Sequence, residues 1–124
     1  MSSEEHRQEK RFPFHWPVAI VFDATETQET YHGVTHDASL HGCAILTEHN
    51  VFSTHNVSIL ISLPPLHPGG SRRVVEVTAR MAYTVLASGY QKFRCGVEFL
   101  NFKGKGRAVL KREIEKSGSI NAIS

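Results

Sequence analysis

The chain has 124 residues, of which 40% are hydrophobic and 21% are charged, and its formal net charge at pH 7 is +2. These values are typical of one globular domain, and they exclude a coiled coil and a largely disordered chain. The 14 basic residues barely outnumber the 12 acidic ones, a balance too even for a surface that binds duplex nucleic acid.

The first twelve residues, MSSEEHRQEKRF, are polar and contain no apolar stretch that could serve as a signal peptide. The longest uninterrupted apolar run, Val18–Phe22, is far too short to span a membrane. We therefore expect a cytoplasmic protein without membrane contact. Residues 1–12 are expected to form a flexible segment, in which Arg7 and Arg11 stand four positions apart.

Alternation of apolar and polar residues predicts β-strands along most of the remaining chain. Residues 18–22, 30–36 and 43–47 predict the first three strands, and residues 57–63 predict the fourth. The alternation is clearest in the fifth, where these residues are expected on the buried face: Val75, Val77, Ala79, Met81, Tyr83 and Val85. The sixth strand is predicted at 94–99, after a hairpin connection in LASGYQKF.

One helix is predicted after the last strand. Val109, Leu110 and Ile114 recur at helical spacing, and Gly118 is the expected stop. Basic residues dominate this segment, and we interpret them as a solvated helix face because no aromatic residues interleave with them. Short strands followed by a single helix indicate a small antiparallel barrel or sandwich over residues 13–118, with a tail at 119–124.

The residue types that carry catalysis or bind metals are present, but their spacing does not fit those functions. His36, His41 and Cys43 lie close in sequence without a recognised metal-ligand spacing. Ser39 precedes His41 by two residues, yet no G-x-S-x-G elbow and no third triad member accompany it. Cys43 and Cys95 lack C-x-x-C spacing and are expected to be buried thiols. We expect no enzyme activity, no metal and no cofactor.

Four features follow one another in the sequence: R-x-x-x-R at Arg7–Arg11, a strand, DASLHG at residues 37–42, and CGVEFLNF at residues 95–102. Taken alone, DASLHG is a turn, because its short polar side chains can project and its glycine lets the chain turn tightly. Together, the four features resemble the PilZ domain family, bacterial receptors for cyclic di-GMP. The resemblance extends from Arg7 to the predicted helix.

The resemblance implies a mainly β fold, a small six-stranded antiparallel β-barrel with a C-terminal α-helix. It also implies a cyclic di-GMP site formed by Arg7, Arg11, Asp37, Ser39 and Gly42, with the strand of residues 96–99 closing the barrel nearby. In an alternative register Arg11 pairs with His15, which stands just before the WPV step where family members often place the second arginine.

The residue types suit that ligand. A guanidinium can chelate phosphate, pair with guanine O6 and N7, and stack on a base. A carboxylate can accept hydrogen bonds from guanine N1–H and N2–H, while a hydroxyl or a backbone N–H beside glycine can reach a base edge or a phosphate. Asp37, Ser39 and Gly42 fit those roles.

Two functions therefore stay open. In the first, the protein is a cyclic di-GMP receptor or adaptor, a monomer or weak homodimer, that acts in motility or biofilm regulation. Its N-terminal segment changes conformation on ligand binding and signals to an unidentified protein partner. In the alternative, the protein is a divergent PilZ-like interaction module that does not bind nucleotide and acts in motility or pilus assembly.

Overall fold

The structure is a computed structural model that describes residues 13–23, 28–87 and 92–123. The elements in these ranges are β1 (Pro17–Asp23), β2 (Gln28–Ala38), β3 (Gly42–Thr47), β4 (Val57–Leu63), β5 (Arg73–Leu86), β6 (Phe93–Phe102) and α1 (Gly106–Ile123). All six predicted strands are confirmed. The predicted flexible segment, residues 1–12, lies outside the described residues.

The strands close into a barrel in the order β1-β2-β3-β6-β5-β4, and every neighbouring pair is antiparallel. The ladder between β1 and β4, in which Ile20 pairs with Ile59, closes the sheet on itself. A closed sheet has no free edge on which another chain could add a strand. The expected six-stranded antiparallel barrel with a C-terminal helix is confirmed, and the sandwich is excluded.

Inward-facing aliphatic side chains fill the barrel, and several of them have no exposed surface: Ile20, Ile45, Ile59, Ile61, Leu63 and Val77. Burying one such side chain stabilises the fold by about 1.5–3 kcal/mol relative to leaving it exposed. Cys43 and Cys95 are free thiols in the same core, as predicted. Burial raises the pKa of the Cys95 thiol above its usual range, so this thiol stays protonated at neutral pH.

An ion pair and apolar contacts hold α1 on the barrel. Leu110 and Ile114 of the helix belong to the core cluster. Arg73, at the start of β5, donates to the buried carboxylate of Glu113 and to the carbonyl oxygen of Pro64, 2.9 Å away. Because an unpaired buried carboxylate would be costly, this guanidinium is what allows Glu113 to lie against the barrel.

The helix continues beyond its predicted end. It runs to Ile123, so the stop expected at Gly118 is wrong, and residues 119–123 continue the helix. A glycine within a helix costs about 1 kcal/mol relative to alanine, which weakens a helix without necessarily ending it. No helix in the described ranges is both long enough and apolar enough to cross a lipid bilayer.

A β-bulge changes which face of β5 is buried. Met81 pairs with Val97 and Tyr83 pairs with Gly96, so Ala82 is an extra residue without its own partner on β6. The alternation therefore reverses, and Tyr83 and Val85 lie on the outer face, with 40% and 43% of their surfaces exposed. The prediction that these two residues face the core is wrong.

Candidate functional site

The segment that leads into β1 is fixed to β2 by one buried threonine. The Thr35 hydroxyl donates to the carbonyl oxygen of Phe14 and accepts from the backbone N–H of Trp16 at 2.8 Å. The Thr35 backbone N–H in turn donates to the Trp16 carbonyl oxygen at 2.9 Å. We call residues 13–16 together with Thr35 the threonine clamp. The clamp places the chain that follows residues 1–12 beside the end of β2, two positions before Asp37.

His15 lies in the threonine clamp and is exposed. Its Nδ1 is 3.2 Å from the carbonyl oxygen of Thr35, and Nδ1 must be the donor because a carbonyl only accepts. The imidazole therefore rests against the backbone of β2. Arg7 and Arg11 lie outside the described residues, so the choice between the Arg7–Arg11 and Arg11–His15 registers stays a prediction.

Asp37 is turned outward by a second β-bulge. Thr35 pairs with Ile45 and Asp37 pairs with Ala44, which leaves His36 as an extra residue on β2. Without that residue Asp37 would share the inner face with Thr35, because strand side chains alternate. In the structure 25% of the Asp37 side chain is exposed, and the His36 Nδ1 lies 3.1 Å from its Oδ2.

His36 is a neighbour of the site that the sequence did not reveal. In a regular strand, consecutive residues point to opposite faces, so His36 and Asp37 would not lie side by side. The bulge removes that restriction, so His36 and Asp37 lie side by side on the outer surface. Only the pairing with β3 determines where the extra residue falls, and no local sequence signal marks it.

Ser39 shapes the turn between β2 and β3. Its backbone N–H donates to the carbonyl oxygen of Gly42 at 2.9 Å, and its hydroxyl accepts from the backbone N–H of His41 at 3.0 Å. Ser39 is only 3% exposed. The turn is shorter than the DASLHG motif suggests, since Asp37 and Gly42 already belong to the two strands.

Gly42 is required by the neighbouring strand. A Cβ added there would lie 2.3 Å from the carbonyl oxygen of Val97 on β6, closer than any side chain tolerates. Gly42 has no positive φ, so the sequence-based reason for this glycine, a tight turn, is replaced by close packing of β3 on β6. The strand Gly96–Phe99 does lie beside the hairpin, as the resemblance implied.

The structure thus brings together Asp37, Ser39 and Gly42 at one end of the β2–β3 hairpin, next to the threonine clamp. Within the described ranges, no group of three or more histidine, cysteine or acidic side chains is placed to hold a metal ion. The donors and acceptors at this end are a carboxylate, imidazoles and backbone groups, which suit a ligand with hydrogen-bonding edges.

A sequence model of the PilZ domain matches residues 5–116, nearly the whole chain. The chain belongs to the PilZ domain family. A comparison with curated proteins finds no match.

Solved structures show the same fold. The chain is similar to the Bacillus subtilis inhibitor of motility MotI/DgrA, with a TM-score of 0.67, 18% identity, and coverage of 91% of this chain and 52% of that chain. It is similar to the PilZ domain of Escherichia coli YcgR with c-di-GMP, with a TM-score of 0.52, 15% identity, and coverage of 95% and 98%. The K. pneumonia MrkH–c-di-GMP complex gives a TM-score of 0.53, 11% identity, and coverage of 94% and 52%. The chain therefore spans about half the length of MotI/DgrA and MrkH.

Proposed function

We propose that this PilZ domain is a cytoplasmic receptor for cyclic di-GMP without catalytic activity. The observation that carries the proposal is the outward-facing Asp37 carboxylate, which a β-bulge holds beside the β2–β3 turn in a chain of the PilZ family. The YcgR and MrkH structures to which the chain is similar contain c-di-GMP, which supports the same ligand here.

In this proposal, the Asp37 carboxylate binds one guanine of the ligand. Its carboxylate is partly exposed at the barrel surface, and the Watson–Crick edge of guanine presents two donors, N1–H and N2–H, that a carboxylate can accept together. The Ser39 hydroxyl and the neighbouring backbone N–H groups hold the turn in shape. The backbone that follows Asp37 is thereby held in one conformation, which lowers the cost of ordering the site on binding.

The arginines supply the phosphate contacts in this proposal. Only Phe12 separates Arg11 from Pro13 in the sequence, and the threonine clamp fixes residues 13–16 beside β2. Because the clamp fixes the chain that follows Arg11, we propose that Arg11 and Arg7 contact the phosphates of a ligand that Asp37 binds. Two guanidinium groups match two phosphates, with geometry suited to bidentate hydrogen bonds.

Signalling follows from the same arrangement. We propose that ligand binding fixes the conformation of residues 1–12 against the barrel, and that a protein partner in motility or biofilm regulation recognises this liganded surface. The similarity to an inhibitor of motility supports a role of that kind.

One observation favours the second candidate function, a PilZ-like interaction module without nucleotide binding. Ser39 is 3% exposed, and its hydroxyl accepts a hydrogen bond within the turn. The D-x-S-x-x-G motif therefore has a structural role that a domain without a ligand would also need. The bulge holds the Asp37 carboxylate beside His36 at the barrel surface, where a guanine can reach it, and we therefore prefer the receptor.

A calorimetric titration with two nucleotides tests the receptor function. Cyclic di-GMP should bind, and cyclic di-AMP should bind far more weakly, because adenine presents a donor where guanine presents O6 and lacks the N2 amino group. Equal binding of both would indicate a site that senses only phosphate charge. Binding of neither would favour the interaction module.

A further inference from the structure

A surface groove lies between the outer face of β5 and the start of α1, and its volume is about 330 Å³. Two strand residues, one helix residue and the loop between β6 and α1 line it: Val74, Glu76, Val109 and residues 103–106. A smaller depression adjoins it at Glu76 and continues along β5 to Thr78. We call the two depressions together the helix groove. It lies on the first half of β5, away from the bulge at Ala82.

The floor of the helix groove is apolar and open. Val74 is exposed, and Val109 is half-buried beside it across the groove. Gly104 adds no side chain, and a Cβ placed there would meet no atom within 4 Å. Val74 also borders a second apolar depression, which Ala19 and Leu60 line on the neighbouring strands. An apolar side chain from another molecule can therefore be buried against this floor.

The loop that forms one side of the helix groove is held in place by backbone hydrogen bonds. The Lys103 N–H donates to the Glu76 carbonyl oxygen at 2.9 Å, and the Gly106 N–H donates to the Lys103 carbonyl oxygen at 3.1 Å. Between them Gly104 has a φ of 57°, a conformation that favours glycine. The groove is therefore preformed, which lowers the cost of ordering it when a partner binds.

Basic side chains continue from the helix groove along one side of α1. Lys105, Val109, Arg112 and Lys116 are spaced by four, three and four residues, so they lie on one side of the helix. We call Lys105, Arg112 and Lys116 the basic stripe. All three are exposed, and none makes an ion pair within the part of the chain that the structure describes.

Acidic residues leave the basic stripe uncompensated. Glu113 is buried and paired with Arg73 on the barrel side of α1. Glu115 follows Lys111 by four residues, on the other exposed side of the helix. Glu76 lies 3.4 Å from the ammonium of Lys103, but both side chains are largely exposed, and such a pair contributes little.

We infer that the helix groove and the basic stripe bind an acidic, partly apolar segment of a partner protein. An apolar side chain of the segment packs between Val74 and Val109, and its carboxylates pair with the basic stripe. Because the barrel is closed, the segment is held through side chains instead of an added strand. The inference goes beyond the proposed function and applies equally to a receptor and to an interaction module.

The shape and charge of the helix groove favour a peptide segment over the other anionic surfaces. No aromatic side chain lines the groove on which a base could stack. The Glu76 carboxylate would face the phosphates of a nucleic acid or a lipid, and a concave apolar floor fits a single side chain better than a flat headgroup surface.

Peptides selected from a random library displayed on phage, with the full chain as bait, test the inference. Fluorescence anisotropy then measures the affinity of each selected peptide, without cyclic di-GMP, for wild type and three variants. Lys105→Gln with Arg112→Gln removes two charges on the groove side. Arg107→Gln with Lys111→Gln is the matched control, since it removes two exposed charges on the other side of α1. Val74→Ala shortens the exposed apolar floor, and thermal unfolding checks that each variant is folded.

The selected peptides should combine aspartate or glutamate with an apolar residue. Their affinity should fall roughly two- to thirtyfold in the groove-side double variant and roughly fourfold or more in Val74→Ala, with little change in the control. Selection of no acidic peptide, or equal losses in the two double variants, would overturn the inference. Sedimentation of wild type with phosphatidylglycerol vesicles, without selection of an acidic peptide, would overturn it in favour of a lipid surface.

Discussion

The barrel wall formed by β1, β4 and the first half of β5 is regular, whereas the wall formed by β2, β3, β6 and the second half of β5 is interrupted. In the regular wall, Val18–Val21 of β1 and all seven residues of β4 pair without a break in register. In the bulged wall, the register shifts in three places: beside His36 on β2, beside Ala82 on β5 and beside Leu100 on β6. All described candidate ligand residues lie in or beside the bulged wall.

The difference in register between the two walls indicates that they have different roles. Uninterrupted alternation gives the regular wall a continuous apolar inner face, and this face supplies much of the core. Bulges interrupt that alternation, and they turn Asp37 and Tyr83 out of the barrel, next to the exposed extra residues His36 and Ala82. The regular wall can therefore be expected to determine stability, and the bulged wall to determine ligand binding.

The largest effect is expected from a truncation in the regular wall. Ile59 has no exposed surface, so Ile59→Ala should lower the free energy of unfolding by about 2–5 kcal/mol through lost burial and a cavity. Urea unfolding measures this. Val74→Ala, on the outer face with 64% of Val74 exposed, is the control and should change stability by less than about 0.5 kcal/mol. A small effect of Ile59→Ala would contradict the stabilising role of the regular wall.

A smaller effect is expected from a methyl group added where the bulged wall is most tightly packed. In Gly42→Ala the new Cβ meets the Val97 carbonyl oxygen, so β3 and β6 must separate, at a cost of about 3 kcal/mol. Because the turn beside Asp37 shifts as well, ligand binding should be lost together with stability. A Gly42→Ala variant with wild-type stability would show that the two strands can separate at no cost.

The threonine clamp links the two walls, and its removal should have the smallest effect on stability of the three. Thr35→Val keeps the shape of the side chain but leaves the Phe14 carbonyl and the Trp16 N–H without their partner, at a cost of roughly 1–3 kcal/mol. Ligand affinity should fall several-fold in addition, since residues 13–16 lose their fixed position.

Thr47→Val is the control for the clamp. The Thr47 hydroxyl is also buried, donates to the His32 carbonyl oxygen at 3.0 Å and accepts from the His49 N–H at 3.3 Å, but it lies at the other end of the β2–β3 hairpin. Urea unfolding measures the stability of both variants, and calorimetry measures their affinity for cyclic di-GMP. Equal ligand affinity for Thr35→Val and Thr47→Val would show that the clamp does not position the ligand-binding segment.

The regular wall could be predicted from the sequence because its cause is local. The residues Val57, Ile59, Ile61 and Leu63 recur at every second position, with Ser58 and Ser62 between them, and the side-chain period of a strand is enough to place the four in the core. The six strands and the helix followed from the same periodicity and from the residues that break it. The barrel, in preference to a sandwich, was implied only by the family resemblance.

The bulged wall could not be predicted in the same way. Tyr83 continues the alternation of β5 in the sequence, and it faces outward only because Ala82 has no partner on β6. A bulge is fixed by the pairing of two strands that are distant in the sequence, so neither strand alone reveals it. Asp37 was identified through the family motif, but the reason it faces outward, the extra residue His36, became visible only with the ladder to β3.

The measurement that tests the central claim most directly is a calorimetric titration of wild type and Asp37→Ala with cyclic di-GMP, with Glu48→Ala as an exposed acidic control outside the site. Wild type and Glu48→Ala should bind alike. Asp37→Ala should bind roughly ten- to a hundredfold more weakly, because one charge-assisted contact to guanine is lost, and its unfolding free energy should stay close to that of wild type. Equal affinity of Asp37→Ala and wild type, or no binding by wild type, would contradict the assignment of the bulged wall as the ligand site.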